Sequence, residues 1–195
     1  MKTVKSLVLF TICTLILSIS NAQIKFPSSS NPIQPELEKV IKDYFNHFIN
    51  IRGEEISQDP QSTAYHSSIM IRGAEECSVT KYSSTKNEVW SWQAVMLTTE
   101  EFETAKKKFK ILYNQVNNLA THFENQPACS FKGDYETPSE EKKFTSVVFS
   151  AQTKNEVVRP LIIELTLEYK LLEWEIKILV YGKEREDYEP GNIKG

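Results

Sequence analysis

Three histidines, three cysteines, four adjacent glutamate pairs and one Trp-Ser-Trp triplet are the groups in this 195-residue sequence whose types could do chemistry. Metal capture needs imidazole, thiolate or carboxylate ligands at short, regular spacing. His47, His66 and His122 are scattered, and neither HExxH nor CxxC occurs. No metal ligand set and no cofactor is therefore expected. Nucleophilic catalysis would show a G-x-S-x-G elbow, and phosphate binding a glycine-rich loop; six glycines in all form neither. A Cys77–His66 pair would require a free thiol. The pairs Glu54-Glu55, Glu75-Glu76, Glu100-Glu101 and Glu140-Glu141 lie in polar stretches or at a helix start, where solvation explains them. General acid–base work would need one carboxyl raised by burial, and no catalytic residue is assigned.

Trp90 and Trp92 are the candidate ligand-binding residues. Indoles two apart on a strand share one face. Exposed, they would form a flat platform for a sugar, a peptide or a partner protein. The competing reading puts Trp90, Trp92, Ala94 and Met96 together as one buried apolar row. Cys77 and Cys129 are the two cysteines beyond an N-terminal export segment, and in an oxidising compartment one disulfide between them is expected. The alternative is two buried, unpaired thiols.

The elements that must position these groups follow from an internal repeat. Ser78–Val89 reads SVTKYSSTKNEV and Ser146–Val157 reads SVVFSAQTKNEV, sixty-eight positions later, with seven of twelve residues identical. At the same offset Leu37, Ile41, Tyr44, Phe48 and Ile51 align with Ala105, Phe109, Leu112, Val116 and Leu119. Both sets keep the three–four spacing of a buried helical stripe, and a common offset argues for duplication. Asn31 or Gln34 would cap the first helix and Gly53 would end it. Thr98 with Glu101 reads as a capping box for the second. Strands are expected over Tyr65–Arg72, over the hairpin Cys77–Tyr82 and Val89–Leu97, and in a closing hairpin. There a reversal at Lys170-Leu171 would set Leu167 opposite Trp174, Leu165 opposite Ile176 and Ile163 opposite Ile178. Glu54–Gln61 and Glu124–Lys143 read as loops, and the shared Thr-Lys-Asn-Glu as turn chemistry.

Lys2 and Lys5, an apolar run from Leu7 to Ile19 and the small residues Ser20-Asn21-Ala22 make residues 1–22 a cleavable signal peptide. That run falls short of the ~20 apolar residues that span a bilayer, so no membrane span is expected after cleavage. Residues 23–35, with Pro27, Pro32 and Pro35, read as an extended leader, and 183–195 as a loose tail. The formal charge of −3 leaves no basic footprint for nucleic acid. These readings give an α+β domain over 36–182: two tandem α-then-strands units (about 31–97 and 99–165) plus a terminal strand at 172–181. Its two helices would lie on one face of an antiparallel sheet of five or six strands. The expected function is a secreted or periplasmic bacterial binding protein for a protein, glycan or envelope component. Alternatives are an extracellular hydrolase with acidic catalytic residues and a carrier of a small apolar ligand between sheet and helices.

Overall fold

The computed structural model of the chain describes residues 31–83, 88–123 and 127–183. The expected signal peptide, most of the leader, the tail beyond Lys183 and the first Thr-Lys-Asn run all lie outside these described residues. In chain order the elements are α1 (Gln34–Asp43), β1 (Arg52–Gln58), β2 (Ser62–Ser67), β3 (Glu76–Tyr82), β4 (Val89–Thr99), α2 (Phe102–Asn117), β5 (Ala120–Thr121), β6 (Cys129–Lys132), β7 (Phe144–Gln152), β8 (Leu161–Lys170) and β9 (Glu173–Gly182). The strands form one antiparallel sheet in the order β1-β2-β3-β4-β9-β8-β7-β6-β5. The class is α+β, with two helices and nine strands instead of five or six. The uncounted strands are polar or short. β1 reads RGEEISQ and is exposed almost throughout, so it carries no apolar alternation. A charged edge strand of this kind protects a sheet from pairing with other chains.

Apolar alternation runs along the strands where the sheet is covered by the helices. β8 buries Leu161, Ile163, Leu165 and Leu167, β9 buries Trp174, Ile176, Ile178 and Val180, and β4 buries Trp90, Trp92, Ala94 and Met96. These residues join the stripes of α1 (Leu37, Val40, Ile41) and α2 (Ala105, Phe109, Leu112, Val116) in a single core. Period two on the strands and period 3.6 on the helices thus point at one layer between them.

Four local expectations are corrected. The first helix does not reach Gly53: α1 stops at Asp43, a 3₁₀ turn follows over Tyr44–Asn46, and His47 and Phe48 adopt positive φ (53° and 56°). Asp43 takes over there, its carboxylate accepting hydrogen bonds from the Asn50 amide and from the side chains of Asn46 and Asn50. Phe48 and Ile51 remain buried, which is why a helical stripe was legible past the helix. The Thr98–Glu101 capping box does not form. Thr98 is still in β4, and its N–H and hydroxyl both donate to the Glu75 carboxylate (3.0 and 2.8 Å). In the closing hairpin the turn residues are Leu171 and Leu172, so Leu167 pairs with Ile176, Leu165 with Ile178 and Ile163 with Val180. The two-residue slip keeps every apolar side chain on its face. The Glu124–Lys143 stretch holds β6 and a 3₁₀ turn over Glu140–Lys142, and its Tyr135 ring rests against Phe109 and Tyr113.

The Cys77–Cys129 disulfide is also absent. Cys77 lies on β3 and Cys129 on β6, and β4, β9, β8 and β7 run between them. Five strand spacings put the two about 24 Å apart along the sheet, whereas a bridge needs Cα atoms within roughly 7 Å. Both thiols are free and buried, and burial raises the pKa of each.

The tandem units do not match exactly. Moving β1 to β4 forward by sixty-eight positions lands each on or beside β5 to β8, but β5 has two residues where β1 has seven. β9 has no partner in the first half; it lies between β4 and β8.

Candidate functional site

The phase of β4 decides where the tryptophans go. At the repeat offset, the buried positions of β3 and β7 agree, Cys77 and Val79 with Thr145 and Val147, but those of β4 and β8 fall on alternate residues. The pairings carry the shift: β3 meets β4 from Tyr82↔Val89, with six residues between them, and β7 meets β8 from Ser150↔Ile162, with eleven between, an odd difference that moves the alternation by one. Trp92 is consequently fully buried, with its indole N–H donated to Ser67 Oγ at 3.0 Å. An exposed two-indole platform is overturned, and the apolar row is what forms.

Trp90 differs from Trp92 because it stands at the end of the row. It is 7% exposed and lines a cleft of about 340 Å³ with Tyr44, Phe45, His47, Glu88, Val89, Val157, Gly182 and Lys183. Each wall has a local cause. The left-handed turn after α1 delivers His47, whose ring centroid is 6.5 Å from that of Trp90. β9 ends at Gly182, where a Cβ would collide with the Tyr44 hydroxyl, so glycine is what lets Tyr44 close that wall. Burial raises the Tyr44 pKa. Tyr65 of β2 stacks on Trp90 with centroids 6.3 Å apart and planes 27° apart. The Arg52 guanidinium sits 5.0 Å from both rings, and the Lys81 ammonium 5.5 Å from the indole, within reach of the ring quadrupole.

Two polar details single out this cleft. Lys81 pairs with Glu88, and that hydrogen bond holds the Glu88 carboxyl below the usual range, with the nearby Trp90 N–H a lesser contribution. Yet Trp90 Nε1 is buried with no acceptor at hydrogen-bonding geometry. Glu88 is therefore an electrostatic neighbour of the indole and not its hydrogen-bond partner. Buried donors of this kind usually have a partner.

The remaining sequence candidates scatter. His66 is exposed and pairs in register with Ser78, so its side chain projects to the face opposite that of buried Cys77, and no thiol–imidazole pair forms. His122 is exposed near α2's end. Glu54 and Glu55 lie on the exposed edge strand, Glu75 is occupied by Thr98, and Glu100 and Glu140 are exposed. Among the described residues no group of three or more His, Cys, Asp or Glu side chains could hold a metal ion. On the sheet face away from the helices, Tyr181 donates to Glu164 at 2.8 Å, Ser146 donates to the same carboxylate, and Gln93 donates to Ser78. Sequence reasoning missed Arg52, Tyr65 and His47 as neighbours of Trp90. The alternation of Trp90 and Trp92 with Ala94 and Met96 was legible, whereas this cluster gathers residues from four separate elements. A scan against protein-family models gave no match, and neither did searches of curated proteins and of solved structures.

Proposed function

We propose that this chain is an exported, non-enzymatic binding protein whose ligand seats in the Trp90 cleft. The observation that carries the reading is Trp90, at the edge of the buried row, on the wall of a cleft that it shares with Tyr44, Phe45, His47 and Lys183. An occupant that stacks on these rings buries aromatic surface there. A cleft of about 340 Å³ lies at the small end for ligand sites. It suits one sugar ring or one side chain of a protein or envelope component, not a long apolar chain. Binding is favoured over catalysis because the cleft's carboxyl, Glu88, is held ionised by Lys81, the opposite of what a general acid needs. The carrier alternative is disfavoured by the filling of the layer between sheet and helices, where Trp92, Phe109, Phe131 and Phe149 are all fully buried. Export rests on the pattern of residues 1–22 and an internal origin by duplication on the shared offset of the two TKNEV runs.

An isotope-labelled indole N–H spectrum tests the assignment, with N-acetylglucosamine and blocked acidic dipeptides as probes. The Trp90 signal, identified by Trp90→Phe, is expected to shift on titration while Trp92 and Trp174 stay still. If no probe moves Trp90, or if the shifts gather around Tyr181 and Glu164, the cleft is not the site.

A further inference from the structure

Tyr44 is seated in the Trp90 cleft by a contact that only glycine permits. Its hydroxyl lies against Gly182, so close that a Cβ there would meet both the oxygen and the ring carbon that bears it. The Phe45 and Phe48 rings meet it edge-on, with centroids 5.1 and 6.0 Å away, and hold the ring in that position. Among the described residues the hydroxyl has no hydrogen-bond partner. Burial raises its pKa and so keeps its proton in place. A partly buried tyrosine hydroxyl usually finds a partner, and here the cleft wall leaves a protonated donor for an occupant.

Glu88, on the same lining, is an acceptor. Lys81 holds its carboxylate ionised, and a carboxylate has lone pairs beyond that one contact. An acidic side chain would bring acceptors alone, and an ammonium group donors alone. A hydroxyl-bearing ring brings both, together with C–H edges that pack on the Tyr44, Phe45 and Trp90 rings. Resting on the assignment of the ligand to this cleft, we propose that the ligand is a single sugar ring and that Tyr44 is the residue that selects it. The phenol donates to an oxygen of the sugar, and Glu88 accepts from one of its hydroxyls. Gly182 acts through Tyr44 as a positioning residue.

The Trp90 indole N–H signal gives an apparent Kd for N-acetylglucosamine and for benzene, a ring without any hydrogen-bonding group. The sugar is expected to bind the tighter of the two. Tyr44→Phe keeps the ring and its packing, and should weaken N-acetylglucosamine roughly three- to tenfold while benzene binding and Tm hold. A tyrosine that only supports the fold would instead change Tm or both probes together. Gly182→Ala displaces the phenol and should also weaken the sugar, and adding Tyr44→Phe to it should cost nothing more. Unchanged N-acetylglucosamine affinity in Tyr44→Phe overturns the proposal, as does an equal loss for benzene. If a blocked acidic dipeptide moves Trp90 and the sugar does not, the cleft remains the binding site and the sugar assignment falls. If no probe moves Trp90, the assignment of the ligand to the cleft falls, and the role of Tyr44 with it.

Discussion

Ser67 and Trp92 show how much rests on one hydrogen bond at a buried indole. Trp92 is fully enclosed and its only polar atom meets Ser67 Oγ at 3.0 Å. Ser67→Ala would leave that N–H buried without an acceptor, a loss of about 1–3 kcal/mol. Urea unfolding should show a lower midpoint with an unchanged m-value, and an unchanged midpoint would mean that water reaches the indole. The Tyr181 phenol makes a separate claim. Burial first, and then the Glu164 carboxylate, push its pKa up, and burial does the same for Tyr44 and Tyr135. The folded chain keeps these protons above pH ~10, where an unfolded tyrosine releases its own. The unfolded state then binds fewer protons than the native state, so stability is intact below pH ~10 and falls as pH rises beyond it. Tyr181→Phe should make the alkaline decline shallower without removing it, because Tyr44 and Tyr135 remain. At this scale the sequence set Trp90 and Trp92 on one face of a strand. It left their exposure open because the repeat does not fix the alternation of β4: the turns between paired strands differ by an odd number of residues in the two halves.

Elements were legible in proportion to their burial contrast. α2 and the β8–β9 hairpin announce themselves because polar and apolar faces differ sharply. The edge strands β1 and β5 and the four-residue β6 do not, being of polar or very short sequence. Gly53, expected as a helix terminus, is a β1 residue close against the His66 carbonyl. The element that was misread for a physical reason is the link from α1 to β1. Its apolar spacing continues through Phe48 and Ile51, yet Asp43 ends the helix. Its buried carboxylate ties down the Asn50 amide and two asparagine side chains. Asp43→Ala should therefore act on the link more than on the helix. The expected loss is about 2–4 kcal/mol, since several hydrogen bonds to a charged group go together. The far-ultraviolet helix signal should be retained below the transition. Since the link carries His47 to the Trp90 cleft, the His47 imidazole resonances should also move. A variant that loses stability with His47 unmoved would show that Phe48 packing alone fixes the turn.

At the scale of the molecule, β9 is the strand on which both halves depend. It is last in sequence and central in space, pairing with β4 on one side and β8 on the other. The repeat could not predict this, because β9 has no repeated partner, and a hairpin pattern alone says nothing about the strand on its far side. Neither half of the sheet can close without it. Ending the chain at Leu171 would remove Trp174, Ile176, Ile178 and Val180, all essentially inaccessible to solvent. At about 1.5–3 kcal/mol for each fully buried side chain, the loss is some 6–12 kcal/mol, which consumes most or all of the 5–15 kcal/mol typical of a folded domain. The truncated chain is expected to lack a cooperative thermal transition and near-ultraviolet ellipticity. The complete chain should unfold in one step, with coincident near- and far-ultraviolet transitions, because β4 and β8 share a single neighbour. Amide exchange sharpens the claim, since the slowest-exchanging amides should gather on β4, β9 and β8 and fall away towards β1 and β5. Two separated transitions, or a truncated chain that still melts cooperatively, would show instead that each half folds alone and that β9 merely joins them.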